Sequence, residues 1–180
     1  MVYLFLANGF EEIEALYTLD LLRRAGIDVL TVGVSGEVAM GSHKIPVVCD
    51  ITPDALPYDS NFDMIILPGG MPGSTNLDMA ECVEKYIKLA IENNKLICAI
   101  CAAPFILGKR GILKGKNATC FPGFEGQLEG ANIVDAGVVR DGNIITGRAM
   151  GSAHEFALTI LEALKDKNAA EEMKRTIILK

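Results

Sequence analysis

Short, almost uninterrupted apolar runs alternate along this chain with segments of helical periodicity. The runs are Val2–Ala7, Asp28–Gly33, Met64–Leu67 and Leu96–Ile100. A strand that is apolar on both faces must be covered on both faces, which is typical of parallel sheets between helices. The alternation therefore predicts an α/β fold with a doubly wound, mostly parallel sheet.

The segments between and after these strands have helical or hairpin signals. The predicted helices are Phe10–Ala25, Asn76–Asn93, Ala103–Lys109 and Ser152–Lys165, with one or two further turns within Asn168–Arg175. Two other segments interrupt the alternation.

The first interruption, Glu37–Asp50, resembles an irregular hairpin. The second, Asn132–Thr146, contains a hairpin signal with its turn at Asp141-Gly142-Asn143. We find no repeat or linker, so we expect a single domain over residues 1–180.

Composition excludes several classes of partner. The chain has 180 residues, 50% of them hydrophobic, and a net charge of −6. Nucleic acid is excluded as a partner because phosphate binding needs clustered basic residues. No apolar run reaches membrane-spanning length, and the apolar opening is too short for an export signal. Five cysteines without a disulfide-like spacing predict free thiols in a cytoplasmic protein.

Ligands of such sheets bind beyond the carboxyl ends of the strands. Cys101 lies at one of these ends, three residues after Cys98. A redox disulfide is disfavoured because Cys98 would lie about 10 Å back along a strand. A zinc site is disfavoured because the two histidines, His43 and His154, have no ligand spacing.

A nucleophile elbow, a strained turn between a strand and a helix, is the better interpretation of Cys101. Its neighbours two positions away must be small, and they are Ala99 and Ala103. Pro104 suits a first helical turn, whose free N–H groups favour thiolate and can hold an oxyanion. The alternative is an ordinary buried cysteine. Cys49, Cys82, Cys98 and Cys120 are interpreted as packing or surface residues.

A nucleophile needs a partner that moves protons. Glu11, Glu12 and Glu14 begin the first helix, where acidic residues also suit the helix dipole. Glu14 lies on the inward arc with Thr18 and is the candidate proton-transfer residue. Glu12 is predicted to be solvated, and Glu11 to lie at a frayed first turn.

The motifs ANGFEEIEA, LLRRAGI, LPGGMPGSTNL, AICAAP and EFALTILEAL resemble the ThiJ/PfpI family of the class I glutamine amidotransferase-like superfamily. The branch of protein deglycases and glyoxalase III-like enzymes, which includes a Parkinson-linked member, is the most similar. The resemblance implies a flavodoxin-like fold and a homodimer that needs no metal or cofactor. It also implies that a protonated Glu14 hydrogen-bonds the Cys101 sulfur, and that the amides of Gly70 and Ala102 form an oxyanion pocket.

The sequence departs from the family pattern at several points. Ala102 follows Cys101, whereas protease-like and amidotransferase members have a histidine directly after the cysteine or elsewhere in support of it. A peptidase is therefore disfavoured. Phe121 occupies the place of a histidine that some members have before a proline, and His43 falls about where relatives have an arginine. Gly69, His43, Arg148 and Phe121 are the candidates to line the pocket. His154 is interpreted as a packing or surface residue.

Three functions remain open. The first is a glyoxalase or deglycase in which Cys101 attacks small dicarbonyls or their early glycation adducts, and Glu14 transfers the proton. The second is an oxidative-stress sensor or chaperone-like protein that acts through oxidation of Cys101. The third is a role in thiamine biosynthesis, which the ThiJ name suggests but for which we find no phosphate-binding loop.

Overall fold

A computed structural model describes residues 1–179 of the chain and contains a central six-stranded sheet. The order of its strands is β2-β1-β5-β6-β10-β9. They are β1 (Val2–Leu6), β2 (Val29–Gly33), β5 (Met64–Leu67), β6 (Leu96–Ile100), β9 (Val138–Asp141) and β10 (Ile144–Gly147). Five strands are parallel, and only the edge strand β9 is antiparallel. The predicted doubly wound, mostly parallel α/β fold is confirmed.

Among residues 1–179, six α-helices accompany the sheet. They are α1 (Glu12–Arg24), α2 (Gly73–Met79), α3 (Glu81–Glu92), α4 (Pro104–Gly108), α5 (Ala153–Leu164) and α6 (Lys167–Thr176). Three single-turn 3₁₀ helices lie at Pro53–Ala55, Glu125–Gln127 and Met150–Ser152. Within residues 1–179, the structure contains no helix with the length and apolar character needed to cross a membrane.

The core lies on both faces of the sheet, because successive side chains of a strand point to opposite faces. In β1, Phe5 packs in one core with side chains of α3 and α4. Its neighbour Leu4 packs in the other core with side chains of α1 and α5. All five residues of β1 are buried, which explains why its sequence is apolar throughout.

The prediction of one helix over Asn76–Asn93 is wrong. Helix α2 begins earlier, at Gly73. The helical conformation is interrupted at Ala80, whose ψ of 121° is that of an extended backbone. Alanine favours helices, so the residue itself does not explain the break. Asp78, in the last turn of α2, pairs with Arg110 after α4 at 2.6 Å, and Arg110 also pairs with Glu84 of α3 at 2.7 Å, so one guanidinium group joins the two helices across the break.

The hairpin predictions are confirmed in part. Residues 37–50 do form an antiparallel hairpin, with strands β3 (Val38–Met40) and β4 (Pro46–Val48). β9 and β10 pair around the predicted turn at residues 141–143. The first residues of the predicted second hairpin do not belong to it. They form β8 (Asn132–Ile133), which pairs in parallel with β7 (Asn117–Ala118).

The carboxyl-terminal region contains more helix than predicted. The segment after α5 forms the ten-residue helix α6, rather than one or two turns. The Asp166 carboxylate caps it by accepting a hydrogen bond from the Ala169 N–H at 2.8 Å.

Candidate functional site

Cys101 occupies a sharp turn between β6 and α4. Its φ of +66° lies in the left-handed region, which residues other than glycine rarely adopt. Both of its backbone groups are held by neighbouring segments: its N–H donates to Gly147 at 2.9 Å, and its C=O accepts from the Phe121 N–H at 2.8 Å. These bonds hold a strained backbone that points the side chain away from the sheet, as in a nucleophile elbow.

The other cysteines differ from Cys101 in position. Cys98 is fully buried within β6, and all five cysteines are free thiols. Cys49 and Cys120 are also buried, whereas Cys82 is half-buried on α3. Burial raises the pKa of the Cys82 and Cys98 thiols, as it does that of the Cys101 thiol, so the position of Cys101 on the strained turn is what distinguishes it from them.

Glu14 lies on the buried face of α1 and is only 1% exposed. Its Oε2 accepts a hydrogen bond from the Gly69 N–H at 2.9 Å. Its Oε1 is buried and has no hydrogen-bond partner of good geometry among residues 1–179. One carboxyl oxygen is therefore anchored, and the other is free to hold a proton.

The Glu14 carboxyl group and the Cys101 thiol titrate together. Burial raises the pKa of Glu14 to about 7, although the interaction with the Cys101 side chain lowers it. Burial and the neighbouring Glu14 carboxylate raise the pKa of the Cys101 thiol to about 12. Between these values the pair holds one proton. If Glu14 keeps that proton, the negative charge that opposes the thiolate is removed, so the two groups act as a unit.

Two backbone amides act on the Cys101 sulfur from the other side. The backbone N–H groups of Gly70 and Ala102 lower the pKa of its thiol. Gly70 has a φ of +90°, and a Cβ atom there would lie 2.5 Å from the Gly9 carbonyl oxygen. Only glycine fits this conformation and this close contact, so the backbone that carries one of the two predicted oxyanion donors depends on residue 70 having no side chain.

The other predicted pocket residues are held in different ways. Phe121 is 43% exposed and adjoins Cys101 through its backbone N–H. Arg148 pairs with Asp135 in the loop that precedes β9. His43 has an exposed side chain whose Nδ1 lies 2.8 Å from Glu12 Oε2. No hydrogen bond joins His43 to Glu14 or Cys101 in the part of the chain that the structure describes.

The interpretation of Glu12 as a solvated residue is wrong. Glu12 is only 3% exposed because residues 41–43 fold over its carboxylate. The first turn is also ordered rather than frayed, since Glu11 Oε2 caps α1 by accepting from the Glu14 N–H at 2.7 Å. No periodicity signals the burial of Glu12, because the residues that cover it are about thirty positions away.

One group of side chains could contribute metal ligands. Glu11, Glu12 and His43 each offer one ligand atom, and these atoms lie within 4.8 Å of one another. Both oxygens of the Glu12 carboxylate already accept hydrogen bonds, from Ser42 and His43. This arrangement is that of an ion pair that fixes a loop.

The chain is similar to known proteins along most of its length. The DJ-1/PfpI family matches residues 1–163. Protein dj-1beta of Drosophila melanogaster is 37% identical, with 97% of this chain and 94% of that protein covered. The Glutathione-independent glyoxalase DJR-1.2 of Caenorhabditis elegans is 34% identical, with 94% and 90% covered.

Solved structures have the same architecture. The crystal structure of Drosophila melanogaster DJ-1beta has a TM-score of 0.94 and 36% identity, and the match covers 99% of this chain and 97% of that one. Oxidized DJ-1 of Toxoplasma gondii has a TM-score of 0.93 and 32% identity, with 98% and 97% covered. Together with the family match and the elbow that holds Cys101, these similarities show that the chain belongs to the DJ-1/PfpI family.

Proposed function

We propose that this protein is a cysteine-dependent, glutathione-independent glyoxalase or deglycase that acts on small 2-oxoaldehydes such as methylglyoxal and glyoxal. The observation that carries the proposal is that the nucleophilic sulfur of Cys101 has two N–H donors and a buried carboxyl group beside it. The similarity to a glutathione-independent glyoxalase of Caenorhabditis elegans supports the same activity.

The first step is addition of the Cys101 sulfur to the aldehyde carbon. A carbon–sulfur bond forms, and the carbonyl π electrons move to oxygen. The N–H groups of Gly70 and Ala102 are the candidate donors to this developing oxyanion. Protonation of the oxygen gives a hemithioacetal.

The second step moves a proton between adjacent carbons. The Glu14 carboxylate removes the proton from the former aldehyde carbon and returns a proton to the neighbouring carbon, which produces a thioester of a 2-hydroxy acid. Water then attacks the thioester, releases the acid and restores the thiol. The sum is one 2-oxoaldehyde and one water consumed for each 2-hydroxy acid formed, with the protein's own groups and water supplying every proton.

A glyoxalase assay of the purified protein, without glutathione, tests this proposal. We expect conversion of methylglyoxal to lactate that is lost in Cys101→Ser and retained after treatment with EDTA. Cys82→Ser is the matched control, because it removes the other half-buried thiol, which lies on α3 rather than at the elbow. A requirement for added glutathione or metal would contradict the proposal.

Oxidation sensing is the second candidate function. A similar solved structure is an oxidized DJ-1, and the Cys101 thiol is partly accessible. In this reaction each of two peroxide molecules transfers one oxygen atom to the sulfur and leaves as water, which yields a sulfinate. Mass spectrometry after mild peroxide tests it. Clean sulfinate formation at Cys101 in a protein without dicarbonyl turnover would favour the sensor.

We also propose that the protein is a homodimer. Several large apolar side chains are exposed on the β3–β4 hairpin and the beginning of α1: Ile13, Val38, Met40, Ile45 and Val48. Val48 is 77% exposed. An apolar surface of this kind is typical of an interface, and a second copy of this chain is the proposed occupant.

A further inference from the structure

The buried Glu12 carboxylate joins α1 to the tip of the β3–β4 hairpin. Its Oε1 accepts from the His43 backbone N–H at 2.6 Å, and its Oε2 lies 2.8 Å from His43 Nδ1 and accepts from the Ser42 hydroxyl at 3.1 Å. Gly41 closes over the same carboxylate, and a Cβ atom there would lie 2.6 Å from Glu12 Cγ. The arrangement needs glycine at position 41 and an acceptor at position 12.

The hairpin tip is in turn joined to the segment that leads into α1. The Ser42 N–H donates to the Phe10 carbonyl at 2.8 Å, and the Gly9 N–H donates to Met40 at 2.7 Å. Residues 9–11 contact the β5 exit loop on their other side, where the Glu11 N–H donates to the Gly69 carbonyl at 2.9 Å.

These contacts end at the groups around Cys101. The Gly69 N–H anchors Glu14, the next residue supplies the Gly70 amide, and Glu11 caps the helix turn that carries Glu14. Residues 9–11 are therefore held between the hairpin tip and the loop of the reactive site. If the contacts with the hairpin tip are lost, this segment keeps only its contacts with the loop after β5.

We infer that Glu12 is a positioning residue for the Cys101 site, and that its pairing with His43 makes the geometry of that site depend on pH. Glu12 acts through the α1 entry segment and does not touch the reacting atoms. The inference rests on the proposed function only where dicarbonyl turnover is measured, since the reactivity of the thiol can be followed without it.

The charges that face His43 give the direction of the effect. Glu12 and Glu11 of α1 are both acidic and raise the pKa of the His43 imidazole, and the adjacent charged residue on the hairpin is Lys44. The Glu12–His43 ion pair is complete when His43 is protonated. The contact between the hairpin tip and α1 is therefore strongest below the raised pKa of His43. As the pH rises through that value, the charge is lost and only neutral hydrogen bonds remain.

The test measures how fast iodoacetamide alkylates Cys101 from about pH 5 to about pH 9. Glu12→Gln keeps the size of the side chain but removes its charge. We expect alkylation of Cys101 to fall by about tenfold or more, as misplacement of reacting groups typically causes. Glu37→Gln is the matched control, because it makes the same change at an exposed position of the same hairpin.

His43→Gln and Ser42→Ala keep the test decisive if Glu12→Gln fails to fold. His43→Gln should remove the component of the pH profile that follows the imidazole, while Lys44→Asn, which removes a neighbouring charge, should leave it. The ring signal of His43 in a proton NMR titration supplies its pKa directly, and Glu12→Gln should lower that pKa.

The outcomes separate this inference from the proposed function. If Glu12→Gln, His43→Gln and Ser42→Ala all keep the wild-type alkylation rate and pH profile, Glu12 does not position the site. An equal effect of Lys44→Asn would show that general electrostatics is the cause, and would also overturn the inference. Absence of dicarbonyl turnover in the wild type would overturn only the proposed function.

Discussion

Glu14 and Cys101 meet across Gly69. A Cβ atom at position 69 would lie 2.5 Å from Cys101 Cβ, 3.0 Å from Cys101 Sγ and closer still to Glu14 Oε2. The carboxyl group and the thiol are therefore neighbours only because residue 69 has no side chain. Cys101 and Glu14 come from β6 and α1, which are far apart in the chain.

The contact across Gly69 predicts the effect of adding one methyl group. Gly69→Ala should reduce dicarbonyl turnover by about tenfold or more, because the new Cβ must push Glu14 or Cys101 out of place. Gly126→Ala is the control, since a Cβ atom there meets nothing within 4 Å. Steady-state kinetics of both variants checks the prediction, and normal turnover in Gly69→Ala would contradict the proposed pairing.

Glu14→Gln separates catalysis from oxidation sensing. The amide keeps the shape of the side chain but cannot accept and return a proton, so turnover should fall on the order of 10²–10⁴-fold. Peroxide should still oxidise Cys101 to sulfinate, because an amide N–H can donate to the oxidised sulfur. Glu14→Asp should impair both reactions through geometry. Glu162→Gln on the exposed face of α5 is the control, and near-normal turnover in Glu14→Gln would remove Glu14 from catalysis.

Glu14→Gln should also stabilise the fold at neutral and higher pH. Burial raises the pKa of Glu14 from 4.5 to about 7, so the folded state binds more protons than the unfolded state between these values. The free energy of unfolding therefore falls as the pH rises through this window. Glu14→Gln removes that loss and should be more stable than wild type by about 1–3 kcal/mol at pH 8, with the difference shrinking toward pH 5. Thermal unfolding at the two pH values measures it, and a constant difference would contradict it.

Cys101 should react with a limiting dose of iodoacetamide before the other four cysteines. It is partly accessible and receives two backbone N–H groups, whereas Cys49, Cys98 and Cys120 are buried. Cys82 is the informative internal control, because it is also half-buried and its thiol also receives two backbone N–H groups, at the start of α3, but it does not lie on a strained strand-to-helix turn. Peptide mass spectrometry gives the order of labelling. Earlier labelling of Cys98, Cys120 or Cys82 would show that the elbow does not activate its thiol.

The exposed hairpin surface predicts the outcome of a charge substitution. Wild-type protein should have the mass of two chains in light scattering, and Val48→Lys should shift it toward one, because a buried charge without a partner is costly. Met79→Lys is the control, since Met79 is also apolar and 70% exposed but lies at the end of α2. A wild-type monomer, or an equal effect of both variants, would contradict the proposed interface.

Much of the fold could be predicted because its signals are local. The four apolar runs contain the strands β1, β2, β5 and β6, and burial on both faces explains why almost all of their residues are apolar. The small residues around Cys101 likewise indicate an elbow, since the collisions they avoid are with near neighbours in the chain. The break at Ala80 had no such signal, and Arg110, which pairs with Asp78 of α2 and with Glu84 of α3 on either side of it, lies 26 to 32 positions away in the chain.

Some features of the candidate site likewise have local signals in the sequence, and others depend on tertiary packing. The alternating α/β pattern, the strand-to-helix turn at Cys101 and the inward arc of Glu14 are predictable from the sequence, because each depends on periodicity or on steric limits within a few residues. Tertiary packing alone buries Glu12, bonds His43 to it and brings Gly69 between Glu14 and Cys101. Those relationships join residues about thirty to ninety positions apart, and their hydrogen bonds and close contacts exist only after the chain has packed around its sheet.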